Sequence, residues 1–264
     1  MRLKAKTIAT QSVMQSIASV LAKFEPIELA QAIQVKLMKR TETKFLVNVS
    51  DLYKLLNSIS DKFRIQTIGT ARSQEYRTMY LDTASLSMYV AHCNKHSLRQ
   101  KIRLRTYALT NETYFEVKTN TNGNTNKQRI QVLNGSLWSR NEAVSQFLVG
   151  VSDYNVGQLQ PSVVSEFNRV TLVGINNTER LTIDTEIRMQ NVRTGLSFVL
   201  PNIAVVELKC DGKPLDFTAE MVKHAHLEQS SFSKYCVGIA LTNVNAEKRG
   251  FEQQLFLLEK LSDM

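Results

Sequence analysis

In the segment RQKIRLRTY, Arg99, Lys101, Arg103 and Arg105 recur at every second position. On a strand that spacing puts them on one face, with Ile102 and Leu104 on the other. The alternation returns along the chain. Arg40, Glu42 and Lys44 share a face in MKRTETKFLV, and Glu116 and Lys118 oppose Phe115 and Val117. Lys127 and Arg129 oppose Gln128, Ile130 and Val132. Arg180, Thr182, Asp184, Glu186 and Arg188 oppose Leu181, Ile183, Ile187 and Met189. Glu207 and Lys209 oppose Val206, Leu208 and Cys210. Any one of these segments reads as an ordinary solvated face. Their repetition, with helices available to cover the apolar sides, points to a barrel carrying its charges inside. Like charges sharing a lumen repel, so interleaved carboxylates, a bound polyanion or water must offset them. The carboxylates are there: Glu42, Glu116, Asp184, Glu186 and Glu207. Arginine forks and lysine point charges neutralise phosphate oxygens. Carboxylates hold a hard divalent ion that bridges phosphates. The chemistry that fits is a metal–polyphosphate ligand in a charged tunnel.

The elements that must position these residues are mostly strands. Alternation and β-branched or aromatic content predict strands over 35–47, 73–82, 99–109, 112–119, 127–133, 166–175, 180–190, 196–200 and 203–210. The stretch NTNGNTN, residues 120–126, predicts a turn between two of them. Ser50 is positioned to cap a helix over 51–60, and further helices are expected over 139–149, 216–228 and 245–262. The first 34 residues read as helical, from Val13, Ile17, Leu21 and Phe24 at helical spacing, with a second short helix over 26–33 after Pro26. No repeat, Pro-rich linker or low-complexity tail divides the chain. The expected organisation is a helical N-terminal arm, 1–34, and one domain, 35–264.

Composition narrows the partners. Lys and Arg number 33 against 24 Asp and Glu, a net charge of +9, and 43% of residues are hydrophobic. That supports a sizeable core and an anionic partner. Three cysteines, Cys93, Cys210 and Cys236, cannot all pair within one chain, and no CxxC occurs, so reduced, buried thiols are expected. The basic start MRLKAK is followed by a stretch broken by Gln11, Gln15, Ser16 and Ser19, unlike a signal peptide. No stretch is long and apolar enough for a membrane helix. A cytoplasmic location is therefore expected. No P-loop, kinase-type Gly-rich loop or GxSxG is present. His92, Cys93 and His96 lie close together but lack a second ligand pair, so a loop after Tyr89 is favoured over a zinc site. His224 and His226 fall in an expected surface helix.

The ordered segments resemble the triphosphate tunnel metalloenzyme superfamily, and within it the VTC (vacuolar transporter chaperone) domain, whose catalytic form is a polyphosphate polymerase. The superfamily's Glu-x-Glu-x-Lys strand reads Arg40-Thr41-Glu42-Thr43-Lys44 here, with Arg40 in place of the first Glu. YRTMYLDT followed by Tyr89, IRLRTY, FEVKT, FNRVTL, RLTIDTEI, VVELKC and FSKYCVG follow in the order of that branch's motifs, over roughly residues 36–240. The resemblance implies an α+β fold: an antiparallel eight-stranded β-barrel, the triphosphate tunnel, with helices packed on the outside. It implies that Lys44, Arg103, Arg105, Lys118, Arg169, Arg180, Lys209 and Lys234 form the catalytic set on the phosphates. Lys127 is implied as a phosphate contact, and Arg40 and Arg129 join it as further candidates. Glu207 is the first candidate for a ligand to Mn²⁺ or Mg²⁺, followed by Glu42 and Glu116, each of which also suits an ion pair with a lumen base.

The expected function is ATP-dependent polyphosphate synthesis, with ATP and inorganic polyphosphate as partners and, as in eukaryotic family members, a membrane protein as a further partner. The alternatives are a metal-dependent tripolyphosphate or nucleoside triphosphate hydrolase and a non-catalytic polyphosphate-binding module. Arg40 in the signature strand tilts away from hydrolysis. Nucleic acid is not expected: no RNP-like aromatics interleave with the bases and no helix-turn-helix signature occurs.

Overall fold

The computed structural model describes residues 13–34, 40–133, 135–215, 218–219 and 227–263. Period-two segments form long strands, as their alternation requires. Among the described residues, eight of these make one continuous antiparallel sheet: β2 (Arg40–Asn48), β4 (Gln74–Asp82), β5 (Leu98–Tyr107), β6 (Glu112–Thr121), β7 (Asn124–Gln131), β8 (Gln160–Gly174), β9 (Glu179–Asn191) and β11 (Ile203–Asp211). Their order across the sheet is β2-β11-β9-β8-β4-β5-β6-β7. The sheet curls so that its charged face turns inward. Shorter strands extend it: β1 (Glu25–Glu28) pairs parallel to β3 (Phe63–Thr67), β10 (Ser197–Leu200) pairs with β9, and β12 (Glu228–Gln229) pairs with β2. The β6–β7 hairpin turns on Asn122 and Gly123, both at positive φ (52° and 89°). That is the backbone a two-residue turn needs to match strand twist.

Helices cover the apolar outer face. α1 (residues 13–21) and α3 (Val49–Ser58) pack on Phe45, Val47, Leu172, Leu181, Ile183, Val206 and Leu208. α5 (Glu142–Val151) packs on Ile102, Leu104, Phe115 and Val117. α4 (Ser87–Cys93) follows β4, and α2 (Leu29–Gln34) follows β1. α6 (Lys234–Thr242) is different. Tyr235, Cys236, Val237, Gly238, Ile239 and Ala240 are all buried, because this helix plugs one end of the curled sheet from within. It packs on the inward side chains Tyr80, Val163, Phe167, Ile187 and Met189. α7 (Glu252–Asp263) closes the chain, with Leu257, Leu258 and Leu261 buried in the same cluster.

Several local expectations are corrected. Residues 25–28 are a strand, and the helix expected over 26–33 is confined to α2. The cap of α3 is Asn48, whose side chain accepts from Ser50 N. Residues 87–93 are helical rather than a loop. β8 begins at Gln160, not 166, and α7 starts seven residues later than the 245 expected. Strand β3 and helix α6 went unforeseen. Most of the helix expected over 216–228, with His224 and His226, and residues 35–39 of the first strand lie outside the described residues.

One correction alters the reading of a whole face. β9 does not alternate evenly from Arg180 to Arg188. Glu186 takes a positive φ of 52°, and the pairing with β8 slips between Glu166 and Asn168. This bulge inserts one residue, so the faces exchange beyond it. Asp184 points inward, whereas Arg188 turns out opposite Glu166, and Ile187 and Met189 turn in against α6.

Candidate functional site

The inward face lines a cavity of about 1020 Å³. Lys44, Lys101, Arg103, Arg105, Lys118, Lys127, Arg169, Lys209 and Lys234 line it with Glu42, Asp184 and Glu207. The bases come from β2, β5, β6, β7, β8 and β11 and from the first residue of α6. Register explains how so much charge is accommodated. Glu207 sits opposite Lys44, Lys209 opposite Glu42, Arg169 opposite Asp184, and Glu116 between Arg103 and Arg129. Opposite charges directly across a ladder attract. Two rows are exceptions: Lys101, Lys118 and Lys127 stand side by side on β5, β6 and β7, and Lys209 of β11 stands opposite Arg180 of β9.

The ion pairs form three clusters. Buried Glu116 meets Arg103 at 2.7 Å and Lys127 at 2.6 Å. Burial pushes its carboxyl up, yet Arg103, Arg105 and Lys127 together hold it well below the usual carboxylate range. Lys127 is pulled down to about 8 by burial, against the opposing pull of Glu116. Glu207 meets Lys209 at 2.5 Å and Lys44 at 3.1 Å, and Lys44 also contacts Glu42. Burial pushes Glu207 up, but Lys209, Lys44 and Arg169 hold it far below its ordinary value. Lys44, half-buried beside them, is lowered to about 8 by loss of solvation. Asp184 takes a two-pronged bond from Arg169, at 2.5 and 2.7 Å, and a contact from Lys234.

Among the described residues, three expected site residues stand apart from the cavity lining: Arg180, Arg129 and Glu116. Arg180 shares the inward face, but its guanidinium donates to the Ala32 carbonyl of α2 at 2.6 Å. Arg129 lies half exposed over the Tyr114 ring, 4.3 Å from its centroid, and 4.0 Å from Glu116. For Arg40 only the backbone is described, opposite Asp211. Lys101, which shares the strand face of Arg103 and Arg105, lines the cavity and is lowered by burial. The lining also includes Tyr76, Tyr80, Tyr107, Phe232 and Ser233. The aromatic residues carry arginines on their faces: Arg105 and Arg169 over Tyr76, and Arg103 over Tyr80. Tyr76 and Tyr80, four positions apart in YRTMY, share one strand face by the period of two, but only the curl of the sheet brings those rings to the bases.

The three expected metal ligands do not come together. Glu42 and Glu207 converge on one ammonium, that of Lys44, whereas Glu116 belongs to the separate Arg103–Lys127 cluster. Among the described residues no group of three or more His, Cys, Asp or Glu is placed to hold a metal ion, and His92, Cys93 and His96 make no such site. Two carboxylates that already share a cation fit a hard divalent ion that draws its other ligands from phosphate and water. The cysteines are free and buried, and Cys210 packs in the outer core.

The family model for the VTC domain matches residues 39–243. This chain belongs to the VTC-domain family. Its match spans every described strand from β2 to β12 and ends just after α6, so the plug helix is a family element. No curated protein matches the chain. A solved Hippeastrum protein, studied as an adenylyl cyclase and described with a dominant triphosphatase activity, is 13% identical, with 78% of this chain and 98% of that chain covered at a TM-score of 0.49. A Bacillus halodurans protein classed as an adenylate cyclase is 15% identical, with 74% and 96% covered at 0.47. A Pyrococcus horikoshii protein is 11% identical, with 76% and 98% covered at 0.45.

Proposed function

We propose that this VTC-family tunnel transfers the γ-phosphate of ATP to the end of an inorganic polyphosphate chain. The observation that carries the reading is the convergence of nine lysines and arginines on one cavity, balanced by four carboxylates, Glu42, Asp184 and Glu207 in the lining and Glu116 paired with Arg103 and Lys127. The row Lys101–Lys118–Lys127 supports it further, because three bases side by side concentrate positive potential on one wall, which a polyanion would offset together with Glu116, the partner of Lys127. In the reaction a terminal phosphate oxygen of the acceptor attacks the γ-phosphorus. The bond to the β–γ bridging oxygen breaks, and ADP leaves with the electron pair. Such transfer needs positioning and charge stabilisation more than covalent catalysis.

In this reading Arg103, Arg105, Lys118 and Lys127 bind phosphates from one wall, and Lys44, Arg169, Lys209 and Lys234 from the other. Glu207 and Glu42 would hold Mn²⁺ or Mg²⁺, which supplies charge neutralisation across neighbouring phosphates when bound. Polymerisation is preferred to hydrolysis on one physical ground. Glu116, Asp184 and Glu207 are each ion-paired and held far below their ordinary pKa, which makes them weak general bases for water. A phosphate oxyanion acceptor needs no base.

The test is incubation with ATP and either Mn²⁺ or Mg²⁺. Long polyphosphate chains and ADP are expected. Release of phosphate from tripolyphosphate without chain growth would replace the reading by hydrolysis. Tight polyphosphate binding with neither product would replace it by a binding module.

A further inference from the structure

Asp184 was visible in the sequence only as one of several interleaved carboxylates. In the structure it has a more specific place. It is nearly fully buried, and it is the last inward residue of β9 before the bulge at Glu186. Two cations from different elements meet on it. Arg169 of β8 donates Nε to Oδ1 and Nη2 to Oδ2, and the Lys234 ammonium at the head of α6 contacts Oδ2. Both cations also rest on one ring: the Arg169 guanidinium carbon lies 5.2 Å and Lys234 Nζ 4.2 Å from the centre of Phe167.

Without the carboxylate, a guanidinium and an ammonium held over one ring repel each other. We propose that Asp184 is a positioning residue of the phosphate site, which clamps Arg169 and Lys234 side by side as a two-cation cradle for the polyphosphate chain. The inference rests on the phosphate-binding part of the function proposed above. The geometry leaves donors available: Arg169 uses two of its five N–H groups on Asp184, and an ammonium has three. Asp184 itself is no proton acceptor near neutrality. Burial raises its carboxyl, but Arg169 and Lys234 bring it down to about 2.

The clamp has a consequence that mere structural support lacks. Asp184 from β9, Arg169 from β8 and Tyr80 from β4 face Lys234. Burial lowers the Lys234 ammonium, Arg169 lowers it further, and Asp184 opposes both. Loss of the Asp184 charge therefore discharges Lys234 at lower pH and takes a phosphate contact with it.

The experiment is calorimetric titration of the full chain with tripolyphosphate, from roughly pH 7 to pH 10, the range in which a depressed lysine titrates. Asp184→Asn is expected to weaken binding about tenfold at neutral pH, the scale of a lost charge-assisted contact, and to move the alkaline loss of affinity to lower pH. Asp184→Glu, which keeps the charge, is expected to leave that alkaline limb where the wild type has it. On a Lys234→Gln background Asp184→Asn is expected to leave the limb unmoved. An unmoved limb in Asp184→Asn itself, or the same displacement with Lys234 already removed, overturns the proposal. Should Asp184→Asn not fold, Asp184→Asn/Lys234→Gln is compared with Lys234→Gln alone. A common limb supports the clamp and a displaced one overturns it. Because the readout is binding, a wild type that binds tripolyphosphate but makes no polymer refutes the polymerase reading and leaves the clamp still tested.

Discussion

At the scale of single residues, the lumen is built from pairs that cannot be cut singly. Glu116 holds Arg103 and Lys127 from below and is itself out of contact with water. Removing one partner of a buried pair leaves the other charges uncompensated. Glu116→Gln is therefore expected to lower stability by about 3 kcal/mol, the range for breaking a buried ion pair, measured by urea denaturation. Added tripolyphosphate should restore part of that loss, because a polyanion replaces the missing counter-charge; equal losses with and without it would argue that the two cations do not face the ligand. The lysines carry a pH signature. Lys44 and Lys127 are lowered by burial from 10.5 to about 8. In the free protein that depression disfavours folding while both states are protonated, below about pH 8, and the penalty is relieved as pH rises from 8 towards 10.5. Phosphate binding has the opposite sign, since it needs the charged form. Tripolyphosphate affinity, followed by calorimetry, should fall as pH rises through about 8, while these two groups make the free chain more stable over the same interval.

At the scale of elements, the plug helix matters most and was the least legible. FSKYCVG gave the resemblance a lysine, but nothing in its pattern announces a helix buried on every side, since periodicity cannot separate such a helix from a buried strand. Its fit depends on a small residue. A Cβ on Gly238 would meet Val163 Cγ1 at 2.9 Å, and the buried side chains of β8 and β9 around it have little room to give. Gly238→Ala is expected to cost about 1–3 kcal/mol by overpacking. Because the same helix carries Lys234 at its first residue, tripolyphosphate affinity should fall with stability. A fall in melting temperature with unchanged affinity would show that the helix and the phosphate site are uncoupled. Tyr235 ties the helix down further: its hydroxyl donates to buried Asp82, which also accepts from Met88 N and Tyr89 N of α4. The bulge at Glu186 is the other hidden device. An even alternation from Arg180 to Arg188 is what the letters suggest, and the extra residue reverses it halfway.

At the scale of the whole molecule, the excess of base over acid is concentrated inward, so ligand binding should depend on salt. Tripolyphosphate affinity is expected to fall roughly tenfold between about 50 and 300 mM salt, as exposed charge is screened over a shorter Debye length. An affinity independent of ionic strength would place the ligand away from the lysine-lined cavity. Saturating ligand should also raise stability, by about 2.7 kcal/mol at a hundredfold excess over Kd, read as a rise in Tm. The N-terminal segment contributes on both sides of the sheet: α1 seals the outer core, while α2 reaches Arg180 on the inward face. No described helix is long and apolar enough to cross a membrane.

The sequence by itself determined the long strands, their two chemically distinct faces and the sign of the charge on the inner one. Those properties follow from a period of two, which is local and survives in single segments such as RQKIRLRTY. It also placed the family, because the motifs run in order. Only the tertiary structure decided which charges meet. Glu42 and Glu207 share Lys44, Glu116 belongs to Arg103 and Lys127, and Asp184 joins Arg169 to Lys234. Ladder register, a one-residue bulge and the packing of a buried helix set those partnerships, and each depends on contacts between segments far apart in the chain.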